Sequence, residues 1–240
     1  MKLTHHFDFK NQPILDRTVF NVRTGDRWFN NEEQRYTDAK DTLFFNEEGL
    51  VFQALLKDGH IESARVDTED HLYFQYGRVE IVAKLPSGVG TWPALWLLSQ
   101  GDPYGRWPRS GEIDIVEHIG RRPNVLYYSL HTELYNWQKQ EFYTYEYPGI
   151  DITNSFHTYA IEWYEDRIMF ELDGTEIVTF YKGQNGRDPS SKGWPFDQPF
   201  FLIMNVAMGG NLGGEVDYQS LPQQMIIEQI KIYELGDDDV

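Results

Sequence analysis

Cysteine is absent from the 240 residues. That excludes a disulfide framework, a thiolate zinc site and a cysteine nucleophile. The absence fits a reducing compartment, and it fits many secreted bacterial enzymes equally well. Positive charge is scarce, with 21 Lys and Arg against 38 Asp and Glu and a formal net charge of −17. Nucleic acid and anionic membrane surfaces are polyanions, so neither is an expected partner. The same charge weakly disfavours sulfated or uronic polysaccharides, although a local basic groove could override the global sign. Long apolar runs are missing too. Phe200-Phe201-Leu202-Ile203-Met204 is too short to span a bilayer, and Met1 to Asp8 lacks the apolar core of a signal peptide. As it stands the chain reads as soluble, cytoplasmic and monomeric, or as secreted if Met1 is not its native start. No helical periodicity, internal repeat or linker stands out.

Aromatic side chains are plentiful at 15 %, including 7 Trp and 15 Tyr. Such rings fill a sandwich core or form flat platforms for sugar faces. The length suits one large all-β or α/β domain, or two small ones. Short strand signals separated by turns recur along the whole chain. Leu50 to Leu56 reads as a strand, Lys57-Asp58-Gly59-His60 supplies a hairpin turn, and Ile61 to Val66 returns. Gly77 to Leu85 alternates apolar with polar residues until Pro86-Ser87-Gly88 stops it. Thr91 to Leu98 is an apolar strand whose early Pro93 is tolerable near a strand start. Phe156 to Phe180 reads as a meander with turns at Glu165-Asp166 and Asp173-Gly174. Phe200 to Met208 and Met225 to Leu235 are the last strands. The pattern predicts a single all-β sandwich over residues 1–240.

One stretch is hard to explain by folding alone: Ser110-Gly111-Glu112-Ile113-Asp114-Ile115-Val116-Glu117-His118. In a regular strand Glu112 and Asp114 share a face, while Glu117 points into whatever Ile113 and Ile115 bury. An ionised Glu in an apolar core costs several kcal/mol. A β-bulge near Ile115-Val116 resolves the conflict and brings all three acids to one face. Crowded like charges cost stability, so a chemical use is the better explanation.

Glycoside hydrolysis needs such an arrangement. One carboxylic acid protonates the leaving oxygen, and a second carboxylate attacks the sugar or activates a water. Crowding raises at least one pKa, which keeps a carboxyl protonated near neutral pH. At full extension Glu112 and Glu117 have Cα atoms about 16 Å apart. The bulge and converging side chains must close that toward about 5–5.5 Å for a retaining enzyme or about 6.5–9.5 Å for an inverting one. Taken in isolation, alternating acids also suit a half-exposed strand or a calcium site.

The surrounding stretches change that balance. Trp28-Phe29-Asn30-Asn31-Glu32-Glu33-Gln34-Arg35-Tyr36-Thr37, Ser63-Ala64-Arg65, Tyr76-Gly77-Arg78, Gly90-Thr91-Trp92-Pro93-Ala94-Leu95-Trp96 and Trp107-Pro108 precede or flank the acid stretch. His157-Thr158-Tyr159-Ala160-Ile161-Glu162-Trp163 and Asn205-Val206-Ala207-Met208-Gly209-Gly210-Asn211 follow it. Together they resemble glycoside hydrolase family 16, specifically its laminarinase-like branch, over nearly the whole chain. The resemblance implies a β-jelly-roll sandwich of two antiparallel sheets with a concave substrate cleft. It implies retaining endo-hydrolysis of β-glucan or galactan, with a β-glucan polysaccharide or oligosaccharide as partner. Glu112 matches the nucleophile, Asp114 the assisting carboxylate and Glu117 the acid/base. The bulged spacing points away from lichenases and xyloglucan-active members, and leaves agarases and carrageenases open.

Substrate contacts follow from the same resemblance. Trp107 resembles a platform near the cleavage point, and Arg65 a cleft arginine that contacts hydroxyls. His131 lies on the strand after the acids, where its ring could face the sugar. Asn30 and Asn31 either bind hydroxyls or serve a turn. Asn205 interrupts an apolar strand, to bind substrate or satisfy backbone groups. Trp92 and Trp96 lie where packing into the core is the default for at least one, so neither is assigned to substrate. The Leu130-to-Trp137 segment is expected to reshape one end of the cleft. No cofactor is required by this chemistry. Relatives often hold calcium on the convex face through an Asp in the last strand, where this chain has Glu228, so a structural calcium stays open. The alternatives are a family 16 galactanase and a non-catalytic glucan-binding sandwich. The second would usually have lost Glu112 or Glu117, and both are present.

Overall fold

The computed structural model describes residues 1–26, 28–148, 153 and 155–236. Among them, strands form a sheet of 10 and a sheet of 8 that pack face to face. Pairing is antiparallel except where Arg35–Tyr36 lies parallel to His60–Ser63. The only α-helix among the described residues is the single turn Gly210–Gly213. No helix there is long and apolar enough to cross a membrane. This is the all-β sandwich that the turn spacing predicts, in the jelly-roll form that the resemblance implies.

Period-two patterning sets the layers. In Gly77–Lys84 every second residue is buried, and Val79, Ile81 and Ala83 enter the core while Arg78, Glu80 and Lys84 face out. The facing sheet contributes Leu95, Leu97, Leu202, Met204 and Val206 to the same core. Each such side chain, fully removed from water, contributes about 1.5–3 kcal/mol. Trp163 seals one region, edge-on to Phe200 at 5.4 Å and donating its indole N–H to the Phe196 carbonyl at 3.1 Å. The predicted meander appears as His157–Trp163, Arg167–Leu172 and Thr175–Tyr181.

Two features position the cleft, and the first differs from the sequence reading. The segment expected as one strand from Ile61 to Val66 is split. His60–Ser63 pairs with Gly49–Lys57 in the back sheet, whereas Arg65–Asp67 pairs with Phe200–Met208 in the other. Ala64 is the corner, with no exposure, and the Ser63 hydroxyl donates to the Val206 carbonyl at 2.6 Å. The corner delivers Arg65 to the cleft sheet. The two last strands also lie inside their sheets, Phe200–Met208 beside Thr91–Ser99 and Gln223–Glu234 beside Gly77–Lys84. Phe200–Met208 is buried at every position, which explains its unbroken apolar run.

Candidate active site

The acid strand, Glu112–His118, runs between Thr91–Ser99 and Val125–His131. Gly111 leads into it at φ 85°, where an added Cβ would lie 2.9 Å from Pro195 Cγ, so only glycine fits. The expected bulge is present. From Asp114 to Glu117 the acid strand advances three residues while its neighbour advances two, from Ser129 to Tyr127. Ile115 and Val116 both enter the core with no exposure. Glu112, Asp114 and Glu117 therefore all line one cleft of about 580 Å³.

Register arranges the cleft floor in rungs. Across one rung, Arg65 lies opposite Asn205, then Ala94, Glu117, Tyr127 and Glu146. The next carries Trp96, Asp114, Ser129 and Thr144. The third carries Leu98, Glu112 and His131. All of these side chains line the cleft. The acids thus form a column along its floor, crossing the rungs.

Each acid has a different neighbour. The Trp107 indole N–H donates to Glu112 Oε2 at 2.5 Å, and the Trp92 indole N–H donates to Glu117 Oε1 at 2.8 Å. Asp114 Oδ2 lies 3.3 Å from His131 Nε2 and has no hydrogen-bond partner among the described residues. Burial, then the Asp114 carboxylate, pushes Glu112 up to about 8. Burial, then Glu117, raises Asp114 well above the usual carboxylate range. Burial also raises Glu117, against the hydrogen bond from Trp92. Desolvation and repulsion act together here, and both favour the protonated forms of these acids.

The other sequence candidates fall into three groups. Trp107, Arg65, His131, Asn30 and Asn205 line the cleft. Asn31 is not among the lining residues; its side-chain N–H donates to Asn211 Oδ1 at 2.9 Å, a staple between loops. Asn30 and Asn31 both adopt left-handed φ, 61° and 59°, so turn geometry accounts for one and coexists with cleft exposure in the other. Asn205 has dual duty. It accepts from Trp96 Nε1 at 2.7 Å and donates to the Tyr36 hydroxyl at 3.1 Å, bracing the floor it helps to form. Arg65 sits between the Trp28 and Trp96 rings, 4.8 and 5.0 Å from their centroids.

Sequence reasoning missed several lining residues. Trp92 and Trp96 face the cleft rather than the core. Thr91–Ser99 is apolar on both faces, so period two could not tell them apart; Leu95 and Leu97 took the core side instead. Glu32, raised by burial, and Phe29, Arg121, Arg122 and Phe142 also line the cleft. They come from loops and edges without periodicity. Trp137 does as well, in the segment expected to reshape one end.

Calcium on the back sheet would draw on Glu228. That carboxylate already lies 3.0 Å from the Lys10 ammonium. Among the described residues, the one group of three carboxylate or imidazole side chains close enough to share an ion is Glu112, Asp114 and His131. Glu228 thus pairs with an ammonium and belongs to no such group among the described residues.

Comparison with known proteins gives the family and the fold. The family described as glycosyl hydrolases family 16 matches residues 28–227. A β-glucanase of Rhodothermus marinus is 37 % identical over 242 residues, covering 95 % of this chain and 82 % of the relative. The solved laminarinase from Rhodothermus marinus superposes with a TM-score of 0.92 at 34 % identity, covering 98 % of both chains. That from Flavobacterium sp. UMI-01 gives 0.89 at 37 %, covering 97 % of this chain and all of its own.

Proposed function

This chain belongs to glycosyl hydrolases family 16 and is a glycoside hydrolase, and from that premise we propose that it is an endo-acting, retaining β-glucanase. Its substrate is β-1,3-linked glucan, laminarin-like or of mixed linkage. The observation that carries this reading is the bulge that turns Glu112, Asp114 and Glu117 onto one cleft. The names of the similar proteins, β-glucanase and laminarinase, supply the substrate class.

Glu112 attacks the anomeric carbon as Glu117 delivers its proton to the departing glycosidic oxygen. Water then attacks the glycosyl-enzyme while Glu117 takes the proton back, and Glu112 leaves as a carboxylate. Burial favours the protonated start of Glu117. The Trp92 hydrogen bond holds one of its oxygens and leaves the other for the sugar. Glu112 must start ionised although the cleft pushes it up. The Trp107 N–H, donating to Glu112, favours the ionised form against burial and the Asp114 charge; Asp114 itself is raised well above the usual range by burial and Glu117. Trp107, 36 % exposed at the cleft, is the flat surface for a sugar ring. The chemistry runs on carboxylates and needs no metal.

The test incubates the wild type and Glu112→Gln with laminarin, barley mixed-linkage glucan, agarose, carrageenan and xylan, and counts reducing ends. Release from laminarin or barley glucan by the wild type alone, with the β-anomer formed first by proton NMR, is the expected result. Release only from a galactan overturns the substrate. Activity retained by Glu112→Gln overturns the role of that residue.

A further inference from the structure

The site contains a donor set that hydrolysis does not use as such. Glu112, Asp114 and His131 each offer one ligand atom, and these atoms lie within 4.8 Å of one another. Asp114 and His131 are 2 % and 7 % exposed, and Asp114 Oδ2 is buried without a hydrogen-bond partner among the described residues. Strand register fixes the cluster, with His131 directly opposite Glu112 and Asp114 one rung along. One imidazole nitrogen with two carboxylate oxygens suits Zn²⁺ and its divalent transition-metal neighbours. Ca²⁺ wants six or more oxygens, and Mg²⁺ near-ideal octahedral oxygen geometry.

We propose that this cradle binds a divalent transition-metal cation of the Zn²⁺ class, and that the bound ion shuts the cleft to glucan. The second half rests on the assignment of Glu112 as nucleophile. An ion that takes the Glu112 lone pair removes the attacking group and puts a hydrated cation where the sugar must sit. The ion is an inhibitor, not a cofactor. Bonds of about 2.0–2.2 Å in a tetrahedral shell place donors about 3.4 Å apart, so the side chains close slightly around it. Among the described residues His131 Nδ1 has no hydrogen-bond partner, so no outer hydrogen bond fixes the ring. Outer partners are worth about 10–100-fold in affinity, and this site is correspondingly weaker than a structural zinc site.

Titrate the full chain with ZnCl₂ by calorimetry, alongside His131→Gln, Asp114→Asn and, as a control, His6→Gln in the strand Lys2–Asp8 of the other sheet. Each variant is first checked for a native melting transition. The wild type takes up one Zn²⁺, and His131→Gln and Asp114→Asn each weaken uptake at least about tenfold. His6→Gln binds like the wild type. In laminarin assays Zn²⁺ raises the apparent KM and leaves kcat unchanged. No uptake at millimolar Zn²⁺, or uptake indifferent to both His131→Gln and Asp114→Asn, overturns the site. Uptake that spares KM overturns the inhibition. If the wild type hydrolyses no glucan yet binds Zn²⁺ through His131, the metal site stands and the substrate reading falls.

Discussion

The two faces of the sandwich each gather three acids, and they treat them in opposite ways. On the outer face of the back sheet, Arg78 reaches Glu171 at 2.7 Å, Glu162 at 3.2 Å and Glu80 at 3.4 Å. Burial works against the Arg78 charge, but Glu171 and the other two carboxylates outweigh it, so the guanidinium is held still more firmly protonated. In the cleft, Glu112, Asp114 and Glu117 have no Lys or Arg within ion-pairing distance among the described residues, where only His131 approaches. The same residue types in neighbouring strands therefore carry matched charge on one face and unmatched charge on the other. Matched acids stabilise the sheet. Unmatched acids keep protons that they can give away.

The largest effect expected from this contrast is on turnover. Glu112→Gln abolishes reducing-end release, and Glu117→Gln lowers kcat by about 10²–10⁴-fold. The fold of both persists. Glu112 is raised from 4.5 to about 8 in the folded protein. Its contribution to stability is therefore intact below pH 4.5 and drains as pH rises through 8. Thermal melting at pH 8 should show Glu112→Gln above the wild type, by roughly 2–4 °C for each kcal/mol of relief, with the gap closing at pH 4. A variant no more stable at pH 8 would erase the contrast between the faces.

Arg78→Met should do the reverse. Three carboxylates lose their common cation, and the cost is about 2–3 kcal/mol after allowance for partial exposure. Melting falls by roughly 5–10 °C, while laminarin turnover per folded molecule at 25 °C stays unchanged. A smaller shift is expected from Trp107→Phe, which keeps a ring and removes the N–H donor to Glu112. The acid limb of kcat/KM moves up by about one pH unit. The smallest comes from Lys10→Met, which breaks an exposed pair with Glu228. It costs under about 1 kcal/mol, and a chelator leaves the melting temperature of wild type and variant alike.

Much of the site was legible because its chemistry is local. Glu117, at the same parity as Ile113 and Ile115, forces a bulge, and the bulge is there. Arg65 and Asn205 interrupt apolar stretches and prove to be opposite each other on the cleft floor. Trp92 and Trp96 were illegible for the converse reason. Their strand is apolar on both faces, and a tryptophan under a cleft looks like one in a core until its N–H finds Glu117 or Asn205. Asn31 shows the limit from the other side. Its neighbour Asn30 has the same residue type and the same backbone conformation, yet only Asn30 lines the cleft.

The sequence by itself determined the class of fold, the acid column and the family, because period-two burial and a three-acid bulge are properties of consecutive residues. Tertiary structure decided the rest. Whether Ala64 ends one sheet and sends Arg65 to the other, which tryptophan meets which carboxylate, and that His131 comes opposite Glu112 all depend on pairing between distant strands. Those pairings set the burial and the neighbouring charges, and burial and charge set which acid holds a proton.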